Sequence, residues 1–254
     1  MEQNVYTAGQ ENFNLPHDVV QLPSGGIYYK SKKKSVKVGY LTAIDENFLI
    51  STATQPGSSN QIVLSLIRNK LYEHDLRPED MLECDIESIL IFLRNTSFGP
   101  EYNLMVTDPK TNKPFSVTVL LDELNIKKTE SQPDENGYFT TKLPRSGSMV
   151  KLRHLNYGEI LEIDKMSEQY PVGRVAPRVT WRLEKQIVEV DGQTDRLIIS
   201  QFINNLPISD SKYIRNFLKN NQPSLDLTKS TKTPSGEMVN FEVTFGVEFF
   251  RPFF

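Results

Sequence analysis

The period of apolar and polar positions changes several times along this chain, and one order of changes occurs twice. Residues 85–95 open on Asp85, a residue type favoured at helix N-caps, and place Ile86, Ile89, Leu90 and Leu93 on one helical face. Phe98-Gly99-Pro100 ends that helix. Leu104-Met105-Val106 then leads into the turn residues Asp108-Pro109-Lys110-Thr111-Asn112, and residues 115–119 alternate as a returning strand. Towards the other end, residues 210–220 read as a helix opening on Asp210, Thr233-Pro234-Ser235-Gly236 as a turn and residues 241–245 as a strand. The interval from helix Asp to turn Pro is 24 residues in both places, Asp85 to Pro109 and Asp210 to Pro234.

The remaining stretches fit the same repetition. Residues 19–22 are strand-like, Pro23-Ser24-Gly25-Gly26 is a turn, residues 27–29 read as a second short strand and residues 36–40 alternate again. A helix is expected from about Thr42, with Thr42 and Asp45 spaced as in a capping box. Residues 55–59 break it, and Ile62, Val63, Leu66, Ile67 and Leu71 mark a second, amphipathic helix. After the first hairpin, residues 127–137 are charged and carry no apolar period. Leu143-Pro144-Arg145-Ser146-Gly147 then echoes Leu22-Pro23-Ser24-Gly25, and residues 149–153 echo the strand that follows it. Residues 157–170 read as a helix, 178–188 as helix or strand, Asp191-Gly192 as a turn and 195–204 as another amphipathic helix. The pattern predicts an α+β protein of two tandem related units, each with an N-terminal β-hairpin, a few short helices and a C-terminal β-hairpin. The expected boundaries are a flexible arm at 1–17, a first unit at 18–126, a linker at 127–139 and a second unit at 140–254.

Composition narrows the classes without adding chemistry. The chain has 254 residues, 38% apolar and 24% charged, which suffices for one large or two small cores. No apolar run is long enough to span a bilayer, and residues 1–14 are polar, so neither a membrane role nor a signal peptide is expected. A formal charge of −3 gives no global attraction to nucleic acid. The single cysteine, Cys84, excludes an internal disulfide and any multi-cysteine zinc site.

Catalytic patterns are sparse. His17, His74 and His154 lie far apart and in no metal spacing, and Cys84 with His74 is outweighed as a nucleophile and base by the reading of Cys84 as a small buried residue. The cluster of Lys30, Lys32, Lys33, Lys34 and Lys37 is the one basic patch, a contact for an anionic partner or simply a solvated loop between strands. Trp181, flanked by Arg178 and Arg182, reads equally as an interface anchor or a core residue. The chain closes on Phe249, Phe250, Pro252, Phe253 and Phe254. Alternation points Phe249 into the second unit's own core, and Phe250, Pro252, Phe253 and Phe254 are candidates for a partner's surface unless the terminal rings fold back.

In order and content these elements resemble a family of small baseplate proteins of T-even-type contractile-tailed bacteriophages, the baseplate hub subunit and hub-assembly proteins. The resemblance rests on Leu22-Pro23-Ser24-Gly25, on Leu41-Thr42 with Asp45-Glu46, on residues 85–94 with Ser97-Phe98-Gly99, on the Asp108-Pro109 and Pro234-Ser235-Gly236 hairpins, and on residues 247–252. Relatives often carry a Cys-Pro-x-Cys pair at the hairpin turn. Here those positions read Asp108-Pro109-Lys110-Thr111 and Thr233-Pro234-Ser235-Gly236, which makes the hairpins zinc-ribbon-like without zinc, and no cofactor is expected. The resemblance implies a non-enzymatic protein of the tail baseplate, at or near the central hub, that binds hub, tape-measure or wedge components. It implies no small-molecule substrate, and a location in the virion tail after assembly in the host cytoplasm. The alternatives are a tail-assembly chaperone absent from the mature virion and a nucleic-acid-binding module using the patch at residues 30–37.

Overall fold

The computed structural model describes residues 16–53, 59–127, 129–244 and 249. Most of the expected arm, and Phe250, Pro252, Phe253 and Phe254, lie outside the described residues. Strand β1 (His17–Gln21) pairs antiparallel with β2 (Ser35–Gly39). The strand expected at residues 27–29 does not form. Gly25 and Gly26 both take positive φ (64° and 74°) and curl the chain through successive turns, closed by Gly25 N–H to Leu22 C=O (2.9 Å) and Tyr29 N–H to Gly26 C=O (3.1 Å). Gly26 also lies so close to the backbone that a Cβ there would meet the Lys33 carbonyl oxygen at 2.0 Å. The curl turns Tyr29 into the core, where it is buried.

Helices α1 (Ala43–Ala53) and α2 (Ser59–Lys70) follow, and a buried ion pair between Asp45 and Lys70 joins them. The Asp45 carboxylate also accepts from the backbone N–H and hydroxyl of Thr42, each at 2.7 Å, which is the carboxylate half of the expected capping box. Helix α3 (Glu83–Phe98) buries Ile86, Ile89, Leu90 and Leu93 together and ends at Gly99, whose φ of 81° no β-branched residue adopts readily. Its N-cap is Leu82, not Asp85. Asp85 stands three residues into the helix and its side chain leaves the helix altogether. Strands β3 (Glu101–Thr107) and β4 (Pro114–Leu120) then form the expected hairpin.

In the second half, β5 (Phe139–Lys142) and β6 (Met149–Leu152) form a hairpin that β7 (Ile187–Val190) extends into a three-stranded antiparallel sheet. Between them run α4 (Tyr157–Glu168) and α5 (Arg178–Gln186), so the stretch read as helix or strand is a helix continued by a strand. A full capping box of Asn156 and Glu159 starts α4, and the Asp195 carboxylate caps α6 (Arg196–Asn204). Helix α7 (Ile208–Asn220) precedes the final hairpin of β8 (Thr228–Lys232) and β9 (Met238–Glu242).

The described residues form two hydrophobic cores. One gathers β1, β2, α2, α3, β3 and β4, and the other gathers β5 to β7 with α5 to α7. The first core also takes in Tyr157, Val243 and Phe249 from the far half of the chain. This corrects the expectation that Phe249 packs in the second unit's own core. Its ring is fully buried and meets Tyr102 edge-on at 5.2 Å, with the Arg94 guanidinium 5.5 Å above it. Strand alternation specifies which face a ring leaves from; it does not specify whose core lies opposite.

Candidate functional site

Two buried carboxylates organise the two halves, and each does so by holding a distant loop. In the first half Asp85, from α3, accepts from the Ser24 backbone N–H (2.9 Å), the Ser24 hydroxyl (2.5 Å) and the Tyr29 hydroxyl. Tyr29 in turn accepts from the Leu82 N–H at 2.9 Å, which leashes the start of α3 to the same loop. Burial raises the Asp85 pKa, and the hydrogen bonds from Ser24 and Tyr29 only partly offset it. In the second half Asp210, from α7, accepts from the backbone N–H groups of Arg145 and Ser146, both at 2.8 Å. Burial opposes its charge too, but the Ser146 and Arg145 donors outweigh it and hold the carboxyl below its ordinary value. The loops so held are Leu22-Pro23-Ser24-Gly25 and Leu143-Pro144-Arg145-Ser146-Gly147. The loops and the helices are legible in the sequence, and their connection is not.

The halves meet along several seams. The segment expected as a linker is tied to both sides: Lys127 N–H donates to Ser224 C=O (2.8 Å), Ser131 N–H to the Asn221 side chain (2.5 Å), and the Glu135 carbonyl accepts from Lys32. Tyr157 N–H donates to Met81 C=O at 2.7 Å. His154 is buried between the edges of Tyr28 and Phe139 and donates its Nε2–H to the Asn221 carbonyl (3.1 Å). Burial lowers its pKa to about 4, so the imidazole is neutral at physiological pH. The two hairpin tips also touch, because Asp108 accepts from the Ser235 hydroxyl (3.0 Å) and backbone N–H (3.3 Å).

The basic loop is partly consumed internally. Lys33 pairs with Glu73 and, at 2.6 Å, with Asp75, and Lys32 donates to the carbonyls of Ile27 (2.8 Å) and Glu135. Lys30 and Lys34 lie exposed. Trp181 is half-buried on α5 and packs edge-on against Tyr170 at 5.8 Å. Beside it Arg178 pairs with Asp164, which pins the start of α5 to α4. Loop residues 171–177 between these helices are a surface feature with no signal in the sequence pattern. Their valines follow no helical or strand period, and exposure cannot be read from composition.

Chemistry-bearing groups gather weakly. Cys84 is buried, and burial followed by the Asp85 charge pushes its thiol up, away from the thiolate that a nucleophile needs. His74 is exposed. Glu87 lines a cavity of about 720 Å³ with Glu83, Glu242, Lys127 and Lys219, and burial, then the charges of Glu83 and Glu242, pushes its carboxyl up to about 8. Among the described residues no group of three His, Cys, Asp or Glu side chains is placed to hold a metal, and no helix is long and apolar enough to cross a membrane.

The family described as T4 bacteriophage base plate protein matches residues 22–251, nearly the whole chain. No curated protein and no solved structure matches significantly.

Proposed function

Because the chain belongs to the T4 bacteriophage base plate protein family, we propose that it is a non-enzymatic component of a contractile tail baseplate, placed at or near the central hub and working by binding other tail proteins. The family match over residues 22–251 carries the baseplate role. The buried, raised thiol of Cys84 gives no support to nucleophilic chemistry. The partners are hub, tape-measure or wedge proteins, met in the host cytoplasm during assembly and retained in the virion.

The candidate contacts are Trp181, the exposed cations Lys30 and Lys34, and the closing residues Phe250, Pro252, Phe253 and Phe254. With Lys32 and Lys33 bonded within the molecule, the patch offers an anionic protein surface three exposed cations, Lys30, Lys34 and Lys37, fewer than duplex recognition ordinarily needs. We also infer that the halves are tandem related units, as two features support: the 24-residue interval repeated from Asp85 and from Asp210, and the hold of each carboxylate on a Leu-Pro loop.

Mass spectrometry of purified virions and of tail-assembly intermediates tests the reading. A baseplate component is expected in both, at a fixed ratio to the other baseplate proteins. Presence only in intermediates would identify an assembly chaperone instead, and absence from both would refute a baseplate role.

A further inference from the structure

The connection between α4 and α5 holds apolar side chains in water on a rigid support. Pro171 C=O accepts from Arg174 N–H at 3.1 Å, which closes a turn whose third residue, Gly173, has φ of 84° with open space where a Cβ would stand. Val172 at the apex is 105% exposed and Val175 is 94% exposed, values that leave both side chains entirely in solvent. Neither end of the loop is loose. The Tyr170–Trp181 ring contact closes its base, the Arg178–Asp164 pair and an Arg178 contact to the Ser167 hydroxyl (3.4 Å) clamp α5 to α4, and Trp181 N–H donates to Pro177 C=O at 3.1 Å. Prolines at 171 and 177 restrict the backbone further. A loop built this way has lost much of its conformational entropy before anything binds it.

Charge selects the partner. Residues 171–182 contain Arg174, Arg178 and Arg182 and no acid. Arg178 is satisfied by Asp164, whereas Arg174 is exposed at the turn between the two valines. We propose that residues 171–177 form a preorganised knob whose Val172 and Val175 enter an apolar pocket, rimmed by carboxylates, on another protein of the same baseplate, with Arg174 meeting the rim and Trp181 bracing the knob from behind. The inference rests on the baseplate reading. It assigns Trp181 a positioning role, and it makes the knob a contact separate from the basic loop and the aromatic terminus.

The test replaces the gene in the phage and measures the chain's copies per tail in sedimented tails, against its other baseplate proteins. Val172→Asp and Val175→Asp are expected to keep the wild-type melting temperature, since neither side chain touches a core, and to lower incorporation at least about tenfold. Arg174→Glu is expected to lower incorporation and Arg174→Lys to preserve it. Ile208→Asp, at an exposed apolar residue opening α7, serves as control and is expected to incorporate normally. A photoreactive benzoylphenylalanine in place of Val175 should crosslink to a pocket flanked by Asp or Glu on a different baseplate protein.

Wild-type incorporation of both valine variants overturns the knob alone, and so does equal loss in the Ile208→Asp control. A crosslink to a second copy of this chain, or to a surface flanked by Lys or Arg, overturns the partner assignment. Absence of the wild-type chain from tails and from every assembly intermediate overturns the baseplate reading and the knob with it.

Discussion

Asp85 and Asp210 perform the same task in different surroundings. Both leave a helix near its start, both are fully shielded from solvent by their own neighbours, and both take the donors of a Leu-Pro loop, 61 residues away for Ser24 and 64 for Ser146. Asp85 shares the buried Ser24 and Tyr29, and two of its donors are hydroxyls. Asp210 takes the backbone N–H groups of Arg145 and Ser146 with the Ser146 side chain beside them, and both of these loop residues are exposed. Burial consequently wins at Asp85 and raises its pKa, while hydrogen bonding wins at Asp210 and lowers it. One geometry can thus serve two electrostatic regimes, set by what lies behind the loop.

The largest effect that separates the two is truncation. Asp85→Ala leaves the Ser24 N–H and two buried hydroxyls without their acceptor and is expected to cost about 3–5 kcal/mol, the range for removing one partner of a buried charged network. Asp210→Ala exposes two N–H groups on a surface loop where water replaces the carboxylate, and is expected to cost about 1–2 kcal/mol, as for a lost cap. Urea unfolding of both variants measures the difference. Equal costs would break the comparison.

Substitution by Asn probes the donors themselves. An Asn side chain keeps one acceptor oxygen and presents an NH₂ group in place of the other. At position 85 that NH₂ faces the Ser24 and Tyr29 hydroxyls, which can rotate and accept. At position 210 it faces an N–H that cannot. Asp85→Asn is therefore expected to recover much of the loss seen in Asp85→Ala, and Asp210→Asn to be about as destabilising as Asp210→Ala. Amide exchange at Ser24 and Ser146 reports each loop separately: Ser24 protection should survive the Asn variant and Ser146 protection should fall.

Local patterns made much of this molecule legible in the sequence. Helices α3, α4, α6 and α7 follow their apolar period, the β3–β4 hairpin follows its turn residues, and the repeated interval picked out both carboxylates. What the carboxylates do was hidden, because an Asp at a helix start has an adequate local explanation as a cap and its true donors lie more than sixty residues away. Lys33 was misleading for the same reason, since its partners Glu73 and Asp75 arrive on a later segment. Glycine spoiled the strand at 27–29: Tyr28-Tyr29 has the composition of a strand, but Gly25 and Gly26 set a backbone that no side-chain pattern reports. Phe249 shows the remaining gap, as burial was evident and the identity of its core was not.

The smallest expected effect is also the sharpest, because its sign differs between the two carboxylates. A carboxyl whose folded pKa is raised binds its proton more tightly in the native state. Its contribution is fully present below the unfolded value, near 4, and declines as pH rises through the folded value. That is the case for Asp85. A carboxyl whose folded pKa is lowered contributes fully above the unfolded value and loses that contribution as pH falls through the folded one, the case for Asp210. Total stability mixes these with other groups, including Glu87, whose carboxyl titrates up near 8, and neutral His154, which charges only near 4. Both are common to the wild type and its variants and cancel in a difference. The stability gap between wild type and Asp85→Asn should therefore move in the wild type's favour on acidification from about pH 7 towards 4, whereas the gap to Asp210→Asn should hold level over that range and shrink only as pH falls below about 4. Gaps that move in the same direction would mean that the two sites share one electrostatic environment, whatever their geometry.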